Sequence, residues 1–230
     1  MATLYIVSTP IGNRGDISLR ALEVLFKVEV ILCEDTRKTG LLLEHYRQTQ
    51  KLTGKPDLIS FYEENEEKRI PQVIGWLKAG KDVALVSNSG TPLVSDPGFK
   101  LVRECVGKNI SVFPIPGASA LLAGLVISGL PTDKFIFLGF LPKKQGKKEK
   151  LLEKARQIQE ILPQTVVFYE SPFRIVKTLN LLAEKMPEAR VVVGRELTKK
   201  FEEVERGKPA ELVKKWGDKK IKGELVVMFS

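Results

Sequence analysis

Histidine occurs once in the 230 residues, at His45, and cysteine twice, at Cys33 and Cys105. Each cysteine sits inside an apolar pattern, so the chain offers no zinc-ligand set and no Ser-His triad, and no metal is expected. His45 reads as a helix-surface residue, since nothing near it in sequence would orient it. Long apolar runs are also missing. The longest, ASALLAGLVISGL from Ala118 to Leu130, is too short and too rich in small residues to span a bilayer. The opening MATLYIVSTP has no basic stretch before its apolar part, so the expectation is a cytoplasmic protein with no membrane partner. Neither GxGxxG nor GxxxxGK[ST] occurs, which disfavours NAD and P-loop ATP chemistry. No internal repeat or low-complexity tract stands out.

What the chain does have is positive charge, unevenly placed. The formal charge is +9; residues 1–117 hold 15 Lys and Arg against 14 Asp and Glu, and residues 118–230 hold 22 against 14. A basic second half suggests a polyanion, nucleic acid first, while a solvated lysine surface is the plainer alternative.

Apolar β-rich runs at TLYIVS, VEVILC, DVALVS and ISVFPI alternate with segments of helical period such as SLRALEVLFK and EKRIPQVIGWLKAG. Strands apolar on both faces between amphipathic helices indicate a largely parallel sheet covered by helices. After PIPG at Pro114 to Gly117 the strands FIFLGFL, TVVFYES, ARVVVGREL, FEEVERG and GELVVMFS outnumber the helices between them, which favours a mixed sheet. The expected fold class is therefore α/β in two domains, 1–117 and 118–230.

Three strands of the first half end in loops of small and turn-forming residues: STPIGNRGD, SNSGTPLVSDPG and PIPGAS. Ligands of open α/β sheets bind beyond the carboxyl ends of the strands, and small residues there let a ligand approach the main chain. Each loop alone is an ordinary Pro/Gly turn; three at successive strand ends point to a ligand site. The segment PKKQGKKEK after FIFLGFL reads as a loose basic loop, with Gly146 inside it. Lys143, Lys144, Lys147 and Lys148 are its candidates for phosphate contact.

TPIGN, CEDTRKT, SNSGTPLVSDPG, PIPGASA, FLGFLPKK, YESPFRI, GRELTKKFEEVERG and KGELVV, in this order through nearly the whole chain, resemble the tetrapyrrole methylase superfamily, and within it the branch that methylates small-subunit ribosomal RNA. The resemblance implies S-adenosylmethionine (SAM) held in a cleft between two α/β domains. It further implies methyl transfer to the 2′-oxygen of a cytidine ribose in the decoding region, with small-subunit ribosomal RNA or the small subunit as partner, and a homodimer. Matched to its motifs, the cofactor-binding positions are Pro10, Ser89, Gly90, Thr91, Val94, Ser119 and Ala120, with Gly223, Glu224 and Leu225 in the second half. This branch reads SDAGTP where the chain has Asn88 and Ser89. The amide keeps an acceptor oxygen but loses the charge, so binding is expected to survive.

Transfer to a ribose hydroxyl needs placement and a path for the proton. Asp35 in CEDTRKT and Glu170 in YESPFRI follow apolar strands and are the catalytic candidates; Arg37 and Arg174 beside them are candidates for RNA contact. Helix capping is the alternative for Asp35 and for Ser171. Arg195, Glu196, Lys199 and Lys200 read first as an ion-pair network, and Glu63 to Glu67 as a solvated helix start. A small-molecule methylase acting on a tetrapyrrole-like substrate and a non-catalytic RNA-binding assembly protein are the rival functions.

Overall fold

A computed structural model describes residues 2–217 and 219–230. They form two compact units, Met1–Ser119 and Ala120–Ser230.

The first unit alternates strand and helix throughout: β1 (Thr3–Val7), α1 (Leu19–Lys27), β2 (Val30–Cys33), α2 (Thr36–Gln50), β3 (Asp57–Ser60), α3 (Glu66–Lys78), β4 (Val83–Val86), α4 (Phe99–Gly107) and β5 (Ser111–Ile115). Its sheet has the order β3-β2-β4-β1-β5, and every pairing is parallel. Helices cover both faces, so β2 and β4 are buried at every residue and read as continuous apolar runs. Each such Val or Leu contributes about 1.5–3 kcal/mol of burial free energy. β3 is the strand that periodicity overlooks. It has four residues, lies at the sheet edge and is only partly covered, so Asp57–Ser60 lacks the apolar density that marks β2 and β4. Because the sheet is parallel, the loops after all five strands leave from one edge.

The second unit comprises α5 (Ala120–Ile127), β6 (Phe135–Phe140), α6 (Gln145–Ile161), β7 (Thr165–Glu170), α7 (Ile175–Lys185), β8 (Val191–Arg195), β9 (Glu203–Gly207), α8 (Pro209–Trp216) and β10 (Leu225–Phe229). Its order is β6-β7-β10-β8-β9, with β6 and β7 parallel and the remaining pairs antiparallel. β10 is buried throughout, between β7 and β8. α5 packs close to it because Gly124 has no side chain: a Cβ there would stand 2.7 Å from Val226 Cγ1.

One expectation about local structure is overturned. The lysine-rich segment is not a loose loop: α6 begins at Gln145 and takes in Gly146, Lys147 and Lys148. A glycine in the first turn costs a helix about 1 kcal/mol, which the burial of Leu152 and Ala155 further along outweighs.

Candidate functional site

At the carboxyl edge of the parallel sheet, the loops after β1, β4 and β5 are joined. Thr9 and Gly90 exchange two backbone hydrogen bonds, Thr9 N–H to Gly90 O at 2.9 Å and Gly90 N–H to Thr9 O at 3.0 Å. The hydroxyls of Ser8 and Thr91 meet at 3.0 Å, and Thr91 Oγ1 donates to Ala118 O at 3.1 Å. Gly90 adopts φ +81°, and a Cβ would stand 3.3 Å from Ile11 Cγ2. Leu93 (φ +71°) and Ser95 (φ +69°) also sit in the left-handed region within the same loop. Left-handed non-glycine residues are strained and persist where surrounding contacts fix them. Leu93 is fixed by packing against the core of the first unit.

Beside this junction lies a cavity of about 240 Å³ lined by Pro10, Arg14, Lys38, Thr39, Leu41, Leu42, Ser87 and Asn88. Arg14 and Lys38 have no ion-pair partner among the described residues and offer free positive charge to an anionic group. Of the sequence candidates, the structure gathers Pro10, Ser89, Gly90, Thr91 and Val94 on the joined loops or between them. Ser119 follows Ala118 directly, and Ala120 opens α5. Gly223 and Glu224 belong to the second unit; Gly223 has φ +98°, Glu224 pairs with Lys199 at 2.8 Å, and the Leu225 side chain is core.

The two proposed catalytic carboxylates are corrected. Asp35 is the N-cap of α2: it accepts from the amides of Arg37 at 2.9 Å and Lys38 at 3.4 Å. It also pairs with the exposed Arg37 guanidinium. That guanidinium, with the amides, holds its carboxyl below the ordinary range, the wrong direction for a proton acceptor near neutrality. Arg37 remains exposed but spends its charge on its neighbour.

Glu170 is sealed in. Its side chain is 0% exposed and bonded on all sides, to Lys148 Nζ at 3.3 Å, Arg174 Nη2 at 2.7 Å, Thr178 Oγ1 at 2.6 Å and the Ser171 amide at 2.8 Å. A carboxylate with every acceptor direction filled inside a core organises its own unit and does not meet a substrate. The expected RNA contacts Lys148 and Arg174 are corrected with it. Lys148 is buried and also donates to Thr178 Oγ1 at 2.7 Å; Arg174 donates to Leu141 O at 3.0 Å. Lys143, Lys144 and Lys147 are exposed. Glu66, expected in solvent, is buried and accepts the Gly98 amide at 3.1 Å, tying α3 to the end of the β4 loop. Arg195–Glu203 and Lys199–Glu196 are ion pairs, at 2.8 Å each.

Sequence reasoning missed Asp96. It is half-buried in the β4 loop, where loss of solvent, then the nearby Glu34 charge, pushes its carboxyl up to about 6; a hydrogen bond with Ser87 pulls the other way. Ser87 also lines the cavity, and Glu34 accepts the Asn88 amide at 2.8 Å. Asp96 is thus an acid that can take a proton near neutral pH one residue contact from the cavity. The only sequence signal was an acid inside the ligand loop, in SDPG. Cys33 and Cys105 are buried with thiols pushed up, Cys105 to about 11, so neither is a nucleophile.

The family described as Tetrapyrrole (Corrin/Porphyrin) Methylases matches residues 3–213. The chain is 44% identical over 230 residues to the "Ribosomal RNA small subunit methyltransferase I" of Thermotoga maritima, covering 100% of this chain and 99% of that one. Among solved structures, diphthine synthase superposes with a TM-score of 0.74 at 19% identity, covering 100% of this chain and 90% of that one. Uroporphyrin-III C-methyltransferase from Thermus thermophilus, complexed with S-adenosyl homocysteine, does so with a TM-score of 0.65 at 19% identity, covering 100% and 97%. At that identity the two structures speak to the fold alone. No described helix is long and apolar enough to cross a membrane.

Proposed function

The chain belongs to the tetrapyrrole (corrin/porphyrin) methylase family, and from that premise we propose that it is a SAM-dependent methyltransferase of small-subunit ribosomal RNA. The named relatives, similar along their whole length, support the substrate. The observation that supports the cofactor is the junction of three loops of small residues at the carboxyl edge of the sheet, fixed by the two Thr9–Gly90 main-chain hydrogen bonds and by the close packing of Gly90 on Ile11. Pro10, Ser89, Gly90, Thr91, Val94 and Ser119 would hold it; for Ala120 and Gly223 to Leu225 a cofactor role rests on the motif resemblance alone. The bound cofactor supplies an electrophilic methyl on a positive sulfur. The acceptor is the 2′-oxygen of a cytidine ribose in the decoding region, and the working unit is a homodimer; both rest on the motif resemblance.

This chain's own residues place the acceptor and manage its proton. Asp96, pushed up to about 6 first by burial and then by the Glu34 charge, takes the hydroxyl proton, with Ser87 linking it to the cavity wall. Arg14 and Lys38 attract the anionic strand to the cavity rim. The test is single-turnover methyl transfer to small ribosomal subunits at saturating SAM, with mass mapping of the product and a tetrapyrrole precursor as control acceptor. Methylated ribose in the RNA is the expected result; transfer only to the tetrapyrrole, or none with SAM bound, overturns it.

A further inference from the structure

Two phenylalanines stand in solvent at the carboxyl ends of the parallel pair β6 and β7. Phe173 is 89% exposed and Phe140 57%. Phe140 is held through its ring and Phe173 through its backbone. Phe140 is paired with Tyr169 across the strands, their ring centroids 5.4 Å apart. The Phe173 amide donates to Ser171 Oγ at 3.3 Å, and the adjoining Arg174 binds Leu141 O, so the segment carrying one ring is tied to the segment carrying the other. The buried Glu170–Lys148–Thr178 network anchors the underside. Exposed aromatic area on a tethered backbone, with only two side-chain torsions per ring, costs little entropy to cover.

The surroundings name the occupant. Lys143, Lys144 and Lys147 follow β6 directly, are exposed, and have no carboxylate partner among the described residues. The nearby Glu149 is engaged by Gln145 Nε2 at 2.9 Å. Unpaired cations beside fixed rings are the pattern of single-stranded nucleic-acid sites, where phosphates track the charges and bases stack on the rings. A second copy presenting this same surface would bring lysines against lysines.

From this arrangement we infer that Phe140 and Phe173 form a stacking ledge for unpaired bases of an RNA strand whose phosphates lie along Lys143, Lys144 and Lys147. The inference rests on the reading of ribosomal RNA as substrate and adds that the RNA is met as an unpaired strand at this place. Backbone contacts supply affinity without regard to sequence, and the ledge requires that bases be free of a duplex, so it selects loops and ends over helices.

Four forms of the full chain test it: wild type, Phe140→Ala/Phe173→Ala, Phe140→Trp/Phe173→Trp and Lys143→Gln/Lys144→Gln/Lys147→Gln. The probes are a labelled single-stranded oligoribonucleotide and its duplex, over a range of salt, with SAM titration and light scattering alongside. The alanine pair is expected to bind the single strand about ten-fold or more weakly with an unchanged salt slope, and the tryptophan pair to bind at least as tightly as wild type. The glutamine triple is expected to lower the salt slope by about 0.7 for each phosphate that is no longer neutralised. SAM affinity stays constant in all four. Single-strand affinity within two-fold of wild type in the alanine pair, or equal loss on duplex, overturns the ledge. So does loss of self-association without loss of RNA binding. Ring-dependent binding in a protein that methylates no ribosomal RNA would leave the ledge standing and sink the proposed function instead.

Discussion

The two units use polar groups in opposite ways. In the first, which is close to neutral, main chain and short hydroxyls join the loops at the sheet edge: Thr9 and Gly90 pair amide to carbonyl, Ser8 meets Thr91, and glycine, serine, threonine and proline are frequent there. In the second, which carries nearly all the net charge, the polar chemistry lies on side chains. Some of these, Lys148, Glu170 and Thr178, are spent inside the core; others, such as Lys143 and Lys147, stand free outside it. Backbone is the better material for closely cradling a small ligand, because it does not need a side chain's reach or ordering entropy. Long charged side chains suit a large anion, because phosphates need charge near them more than exact geometry. The difference teaches that two α/β units can put their polar groups to different uses, one fixing loops through the main chain and the other dividing charged side chains between core and surface.

The strongest way to break the comparison is through the buried network. Lys148→Met leaves Thr178 without its donor and Glu170 with Arg174 as its remaining cation, and losing one charged partner of a buried network costs about 3 kcal/mol. Denaturant unfolding should show that loss, while SAM affinity of the folded fraction is unchanged. Lys148→Met/Glu170→Leu should recover much of it. If the single variant is as stable as wild type, the network is not an anchor, and the second unit's charges are not divided between core and surface roles.

Next in size, Gly90→Val should weaken SAM binding at least a hundred-fold in a protein that still folds. A β-branched residue cannot take φ +81° without strain, and its side chain would press on Ile11 at the loop junction. Calorimetric titration measures it. Wild-type affinity would mean that the main chain of the first unit does not cradle the cofactor at this loop.

The α/β class and nearly all strands were legible, because buried strands write themselves as runs such as VILC and VALV, and helices as period 3.6. β3 was not, since an edge strand half-open to water needs no such run. The site was legible only as backbone. The small residues of the three loops can be read locally, but side-chain roles depend on partners far away in sequence. Glu170 looked catalytic until Lys148, 22 residues earlier, was found on its oxygen; Asp96 was passed over because what raises it is burial and then Glu34, 62 positions before it. Carboxylate chemistry is set by such neighbours and by burial, and neither is written locally.

Asp96→Asn carries a smaller effect with a definite pH signature. Its folded carboxyl titrates near 6, above the ordinary value of 3.8, so the native state holds a proton that the unfolded state has released between about pH 4 and 6. Stability therefore falls as pH rises through that window. Removing the charge should flatten that slope and leave the variant about 1 kcal/mol more stable at pH 7, allowing for solvent around a half-exposed group. Methyl transfer should drop ten-fold to a hundred-fold, about the range of positioned acid–base work, and the wild-type fall in rate below pH 6 should vanish. Unchanged transfer would make the first unit a cofactor holder with no part in proton handling.

The smallest effect concerns Asp35, and it separates a cap from a catalyst. Asp35→Ala removes the acceptor for the Arg37 and Lys38 amides and should cost about 1 kcal/mol of stability, the usual worth of an N-cap. Asp35→Asn keeps an oxygen in place and should cost only a few tenths. Were the carboxylate a proton acceptor, the order would differ: the amide would be as inactive as alanine, because neither can take a proton. As a cap, the group acts on the start of α2, which carries Lys38 and Thr39 into the cavity wall, so any loss of transfer should follow stability and be rescued by asparagine. Thermal unfolding and single-turnover transfer on both variants read the two quantities separately. Equal loss of rate in both, with stability kept in the asparagine variant, would return catalysis to Asp35 and place a working carboxylate on a helix start.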